Sequence, residues 1–104
     1  DMATRLDAIR AFINYAARAV DERVGDADKL CNMLKYHTSE EIMKVCKDAL
    51  ELHGGTGVML EAGIEKLFRD AAIFMHMDAT VDISRFKVIK AMFPDAAGTY
   101  ADPK

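Results

Sequence analysis

Asp78 stands at a break in the chain. The apolar run Ile73-Phe-Met-His-Met77 precedes it and Ala79-Thr80 follows. A carboxylate at the mouth of an apolar pocket has its ionised form disfavoured, which raises its pKa and fits it to remove a proton. The same position also suits the cap of a following helix. A second group of residues is the glycine cluster Gly54-Gly-Thr-Gly57. It lacks the grammar of a phosphate loop, because a helical pattern precedes it and Val58-Met-Leu60 follows where Gly-Lys-Ser/Thr is required. By pattern it is the turn between two helices. Cys46 and His53 lie seven residues apart and could share a helical face, but no third ligand joins them, so no metal site is expected. His37 and His76 form no paired-histidine or Glu-x-x-His pattern of the kind that holds two irons in a helical bundle.

The elements that must position these residues fit one domain. A chain of 104 residues buries roughly two-thirds of its surface on folding, enough for a modest core. Half of the residues are hydrophobic, which argues against disorder. The net charge of −3, with Lys and Arg scattered among Asp and Glu, leaves no basic stripe for nucleic acid. No apolar run has the length that inserts into a membrane. Two cysteines, Cys31 and Cys46, suit a reducing compartment, either the cytoplasm or, in a eukaryote, the mitochondrial matrix. The sequence opens at Asp1 directly in helical pattern, as a piece of a longer protein would.

Period-two alternation is missing and helical periodicity is clear, so the expected class is all-α, an up-and-down four-helix bundle-like domain over residues 1–93. A first helix, about 3–24, carries the stripe Leu6, Ile9, Ile13, Ala16, Ala17, Val20 and Val24. Gly25 is expected to close it in left-handed geometry, and Asp26 or Asp28 to cap the next. A second helix spans about 27–53. Thr38-Ser-Glu-Glu41 reads as a capping box, which would start a new helix there, but the apolar phase runs through it unbroken. A third helix, about 62–77, carries Ile64, Leu67, Phe68, Ala71 and Met75; Ile73, Phe74 and Met77 add a second face, so its end is expected to be buried all round. A fourth, about 81–92, carries Ile83, Phe86, Ile89 and Met92 and stops at Phe93-Pro94. Residues 94–104 read as a loose tail.

The ordered combination Leu50…His53-Gly-Gly-x-Gly57, Glu65-Lys-Leu-x-Arg-Asp-Ala71 and Asp78-Ala-Thr80 resembles the C-terminal helical domain of the acyl-CoA dehydrogenases. Asp1-Met-Ala-Thr-Arg-Leu6, Arg10 and Ala16-Ala17 resemble the helix before these motifs. The resemblance implies an FAD enzyme that desaturates an acyl-CoA thioester between Cα and Cβ. A carboxylate takes the α-proton, the flavin takes the β-hydrogen as hydride, and an electron-transfer acceptor reoxidises it. In many members the base is the glutamate of a Tyr-Glu-Gly-Thr stretch. Here Met77-Asp-Ala-Thr80 matches it, which puts Asp78 in the place of the base with a side chain one methylene shorter. Thr80 and Asp82 match residues that contact the flavin. Gly54 and Gly55 match a turn that approaches the adenine side of the flavin from a neighbouring subunit. Glu51 takes a place that is often glutamine, and its charge would repel the pyrophosphate at close range.

The family pattern also has an N-terminal helical domain and a central β-domain, neither of which lies in these 104 residues. The resemblance therefore implies a homo-oligomer (dimer or tetramer), and an isolated chain that binds flavin poorly, does not turn over, and exposes much apolar surface. The alternative is a free-standing helical oligomerisation module without catalysis.

Overall fold

The computed structural model describes residues 1–95 and contains four α-helices: α1 (Met2–Asp21), α2 (Ala27–Leu52), α3 (Ile64–Ile73) and α4 (Val81–Met92). Two short 3₁₀ turns, Gly54–Val58 and Leu60–Ala62, join α2 to α3. The expected loose tail falls outside the described residues from residue 96 onward. No strand occurs among the described residues, and none of their helices is long and apolar enough to cross a membrane.

α2 is the mast of the domain. At 26 residues it is about 39 Å long. The backbones of α1, α3 and α4 each approach α2 and do not approach one another, so the four helices form an open arrangement around one axis. α1 and α3 run antiparallel to α2: Arg5 pairs with Glu41 while Phe12 meets His37, and the carbonyls of Leu67 and Phe74 meet Cys46 and Ser39.

The tetrad Thr38-Ser-Glu-Glu41 does not start a helix. It lies inside α2 and is the node where α2 meets all three neighbours. Glu41 pairs with Arg5 of α1, Ser39 reaches the Phe74 carbonyl after α3, and Glu40 pairs with Arg85 of α4. Lys44, 2.6 Å away, and then Arg5 hold the Glu41 carboxyl below the usual carboxylate range. A depressed folded-state pKa contributes stability that is fully present above the unfolded value of 4.5 and is lost as pH falls through the lower folded value. Thermal midpoints recorded from pH 6 downward should therefore drop in the acid range, and Glu41→Gln should lessen that drop relative to wild type. An equal pH slope in the variant would exclude Glu41 as a source.

Three helix ends differ from the sequence expectation. α1 stops at Asp21, three residues early, and the left-handed residue is Arg23 (φ 54°), not Gly25. Val24 N–H donates to the Ala19 carbonyl and Arg23 N–H to Val20, the paired bonds of a Schellman ending. Asp26 precedes α2 without a side-chain cap bond and pairs with Lys29 at 3.1 Å. α3 begins after Gly63 (φ 75°) and ends at Ile73, not Met77.

The core is built mainly from small residues. Ile9, Ala16 and Ala19 of α1, Ser39 of α2, Ala71 of α3, and Ser84 and Val88 of α4 are buried. Several larger members of the expected stripes point outward: Ile13 and Val20 on α1, Val24 just after it, Leu67 on α3, and Ile83, Phe86, Ile89 and Met92 on α4 are about half exposed. Ile73, Phe74 and Met77, expected to be buried, are also exposed. Each outer helix has one neighbour, α2, and small side chains at that seam allow close approach. The bulkier stripe is left facing away, and the large exposed apolar surface follows from that orientation.

Candidate functional site

Asp78 sits in the turn between α3 and α4, exposed, with a left-handed backbone (φ 65°). Ala79 N–H donates to the Met77 carbonyl at 2.8 Å across it. A bond of that span around a positive-φ residue is a γ-turn, a rare and strained form. His76 and Met77 N–H both donate to Ile73 at 2.9 Å, and Val81 N–H closes the turn on Met75 at 3.2 Å. Among the described residues the Asp78 carboxylate has no hydrogen-bond or ion-pair partner. It does not cap α4. Thr80 does, its Oγ1 accepting from Ile83 N–H at 3.3 Å.

Around this turn stand residues that sequence reasoning did not assign to it. Lys35 Nζ and Ser39 Oγ both reach the Phe74 carbonyl, at 2.5 and 3.0 Å. Arg85 pairs with Asp82 at 3.1 Å and with Glu40, and lies 5.2 Å from the centre of the Tyr36 ring. Asp82 is thus an exposed carboxylate with its charge balanced from its own helix. The only advance signal was the pair Glu40-Glu41, read as part of a capping box.

The glycine corner is elsewhere. Gly54 (φ 56°) and Gly55 open the first 3₁₀ turn at the C-terminal end of α2, whereas the Asp78 turn is fastened to α2 at Lys35 and Ser39. At 1.5 Å per residue the two places are roughly 20–30 Å apart along α2. One copy of the chain does not bring Asp78, Thr80 and Asp82 together with Gly54, Gly55 and Glu51. A Cβ on Gly55 would meet nothing within 4 Å, while one on Gly57 would lie 2.7 Å from the Leu50 carbonyl. The glycine cluster therefore contains one residue dictated by packing and one that packing leaves unexplained. Glu51 is exposed and lies 3.7 Å from Lys47.

Cys46 and His53 do not form a pair. Burial pushes the Cys46 thiol pKa up and its sulfur faces the Leu67 carbonyl, while His53 Nδ1 lies 2.8 Å from Ala49 O. No group of three or more His, Cys, Asp or Glu side chains is arranged to hold a metal among the described residues. Arg69 and Asp70 pair with Glu65 and Lys66, each at 2.7 Å, on the surface of α3. A groove of about 450 Å³ between α1 and the start of α2, lined by Tyr15, Arg18, Glu22 and Leu30 among others, includes none of the candidate site residues.

Residues 1–93 match the family model described as acyl-CoA dehydrogenase, C-terminal domain. The chain is 30% identical over 95 residues to the mitochondrial isobutyryl-CoA dehydrogenase of Bos taurus, covering 91% of this chain and 23% of that protein. It is 31% identical over 97 residues to the cyclohexane-1-carbonyl-CoA dehydrogenase of Geobacter metallireducens, covering 93% and 25%. It is also 31% identical over 88 residues to subunit CarC of the caffeyl-CoA reductase-Etf complex of Acetobacterium woodii, covering 85% and 23%. A chain from a solved structure, described as the electron transferring flavoprotein of Acidaminococcus fermentans in work on flavin-based electron bifurcation, superposes with a TM-score of 0.85 at 28% identity, over 91% of this chain and 25% of that one. The chain spans about a quarter of the length of these relatives. With a family match that takes in every helix from α1 to α4, the chain belongs to the acyl-CoA dehydrogenase family as its C-terminal domain.

Proposed function

We propose that the polypeptide carrying this domain is an FAD-dependent acyl-CoA dehydrogenase that forms a double bond between Cα and Cβ of an acyl-CoA thioester. Family membership over residues 1–93 is the observation that carries the reading. Bound flavin would supply the hydride acceptor for the β-hydrogen. Asp78 accepts the α-proton on a carboxylate oxygen that no other described side chain occupies. Its strained turn supports the assignment, since strained backbone clusters at functional sites.

The other residues fit a flavin in kind. Thr80 accepts from Ile83 N–H on one oxygen lone pair and keeps its own proton to donate to a ring acceptor. The N-terminus of α4 favours developing negative charge there. Asp82 can lie close by because Arg85 offsets its charge. Gly54, Gly55 and Glu51 serve the adenine side of a second FAD, held by another copy of the chain, which accounts for their distance from Asp78. Lys47 beside Glu51 reduces its repulsion of a pyrophosphate. A homo-oligomer, dimer or tetramer, would cover the outward stripes of α1 and α4. An electron-transfer flavoprotein is the proposed acceptor, in keeping with the Etf-associated relative. The cytoplasm, or the mitochondrial matrix in a eukaryote, is the proposed compartment.

Two measurements test this. The full-length protein should purify with flavin absorbance that bleaches anaerobically on adding isobutyryl-CoA or cyclohexane-1-carbonyl-CoA; no bleaching with either refutes the activity. Gly55→Leu should leave the thermal midpoint nearly unchanged, within the roughly 0.5 kcal/mol typical of surface changes, because its Cβ has open space. The same variant should weaken FAD binding about tenfold or more, the cost of one blocked close approach, about 1.4 kcal/mol. Undiminished flavin content would remove Gly55 from the cofactor site.

A further inference from the structure

We propose that Lys35 and Ser39 of α2 are positioning residues for the Asp78 carboxylate, acting by holding the turn that presents it. The proposal rests on the reading of Asp78 as the base. The geometry begins at Phe74, the residue after α3. The last carbonyls of a helix lack intrahelical partners. Here the Phe74 carbonyl receives two donors from another helix, the Lys35 ammonium at 2.5 Å and the Ser39 hydroxyl at 3.0 Å. The ammonium adds a charge-assisted bond at the negative end of α3. Ser39 is 3% exposed, so its hydroxyl is shielded from water, and its proton is shared with the Lys35 carbonyl at 2.7 Å.

Downstream, Arg85 ties α4 to Glu40 and Tyr36, one residue along α2 from each member of the first tether. The residues at positions 35 and 39 thus grip the start of the turn, and those at 36 and 40 grip the helix that follows it. Asp78 lies between, in a γ-turn that a non-glycine residue keeps only where its surroundings impose it. Its own side chain supplies no such constraint, because it makes no contact of that kind among the described residues. The constraint comes from α2. Two donors fastened to the carbonyl four residues before Asp78 fix where the turn starts, and so where the carboxylate points.

The test uses the full-length flavin-loaded protein with isobutyryl-CoA and cyclohexane-1-carbonyl-CoA as substrates. The variants are Ser39→Ala, Lys35→Met, the two combined, and Lys35→Arg. In the combined variant, hydrogen exchange over residues 75–81 should be about tenfold faster or more, while exchange in α1 is unchanged. The rate constant kcat should fall about 10–100-fold, the range expected when a reacting group is misplaced by about 1 Å. KM should stay within about twofold, since substrate binding is not what the tether controls. Flavin content should be unchanged, and Lys35→Arg should retain most of the activity. Faster exchange with unaltered kcat would overturn the proposal, as would unaltered exchange. A fall in kcat that comes with lost flavin and general loss of protection would also overturn it, by showing a role in folding alone. Asp78→Asn, measured alongside, separates the two ideas. Full activity in that variant removes the base and the positioning role together. Lost activity there, with unaltered kcat in the combined variant, removes the positioning role only.

Discussion

Asp78→Asn in the full-length protein should lower kcat for acyl-CoA desaturation by about 10²–10⁴-fold, the usual contribution of a positioned general base, with flavin still bound. The amide keeps the shape of the carboxylate and its tolerance of a positive φ, a property that Asn and Asp share. The turn of residues 74–80 should therefore survive, and the change isolates the loss of a proton acceptor. KM should change little, because a general base acts on the reacting proton and not on substrate binding. Retained activity would sink the assignment. The companion variant Asp78→Glu bears on why an aspartate stands here. Glutamate restores the methylene that the family's Tyr-Glu-Gly-Thr stretch has, but loses the short side chain that tolerates φ 65°. If the backbone at Asp78 has already moved to bring the shorter carboxylate into place, lengthening it overshoots. Asp78→Glu should then lose about tenfold to a hundredfold in kcat, the effect of an ångström-scale misplacement. A gain in activity would mean that the turn offers no compensation and that the shorter side chain is merely tolerated.

The sequence carried the helices further than it carried their surroundings. α2 was legible as one helix because its apolar phase ran unbroken, and α4 because its apolar period stopped at Phe93-Pro94, although its cap is Thr80 and not the expected Asp78. The ends of α1 and α3 were not legible. Arg23 ends α1 in a conformation that glycine would have signalled, and Gly25 two residues later drew the reading away. The turn after Ile73 is held by Lys35 and Ser39, which lie 39 and 35 residues away in sequence and are invisible to any local pattern. Burial was misjudged for a related reason. Periodicity tells which face of a helix is apolar; it does not tell which neighbour covers that face. On α4 the buried seam is Ser84 and Val88, while Ile83 and Ile89 face outward. At the candidate site, Asp78 was legible as a carboxylate at a helix break. Its positive φ and the side chains that hold it in place were not.

Gly57→Ala should be the most destabilising single-methyl change in the glycine corner, and it separates the two kinds of glycine there. An added Cβ at this position would sit 2.7 Å from the Leu50 carbonyl and 3.0 Å from the His53 Cβ. The carbonyl belongs to the last turns of α2, so it cannot swing aside as a long side chain would. Either the 3₁₀ turn lifts away from α2 or the helix end unravels. Overpacking of this sort costs about 1–3 kcal/mol. In a domain of this size each kcal/mol moves the thermal midpoint by about 4–8 °C. Gly54→Ala should cost less, on the order of 1–2 kcal/mol for a left-handed residue with a Cβ, since φ is 56° but the space beside it is open. Gly55, with ordinary φ and open space, should cost nothing measurable. Stability should thus fall in the order Gly57, Gly54, Gly55, whereas direct loss of FAD should be clearest at Gly55, where the fold gives no reason for a glycine. A Gly57→Ala variant with an unchanged midpoint would show that the turn stands further from α2 in solution than the 2.7 Å approach requires.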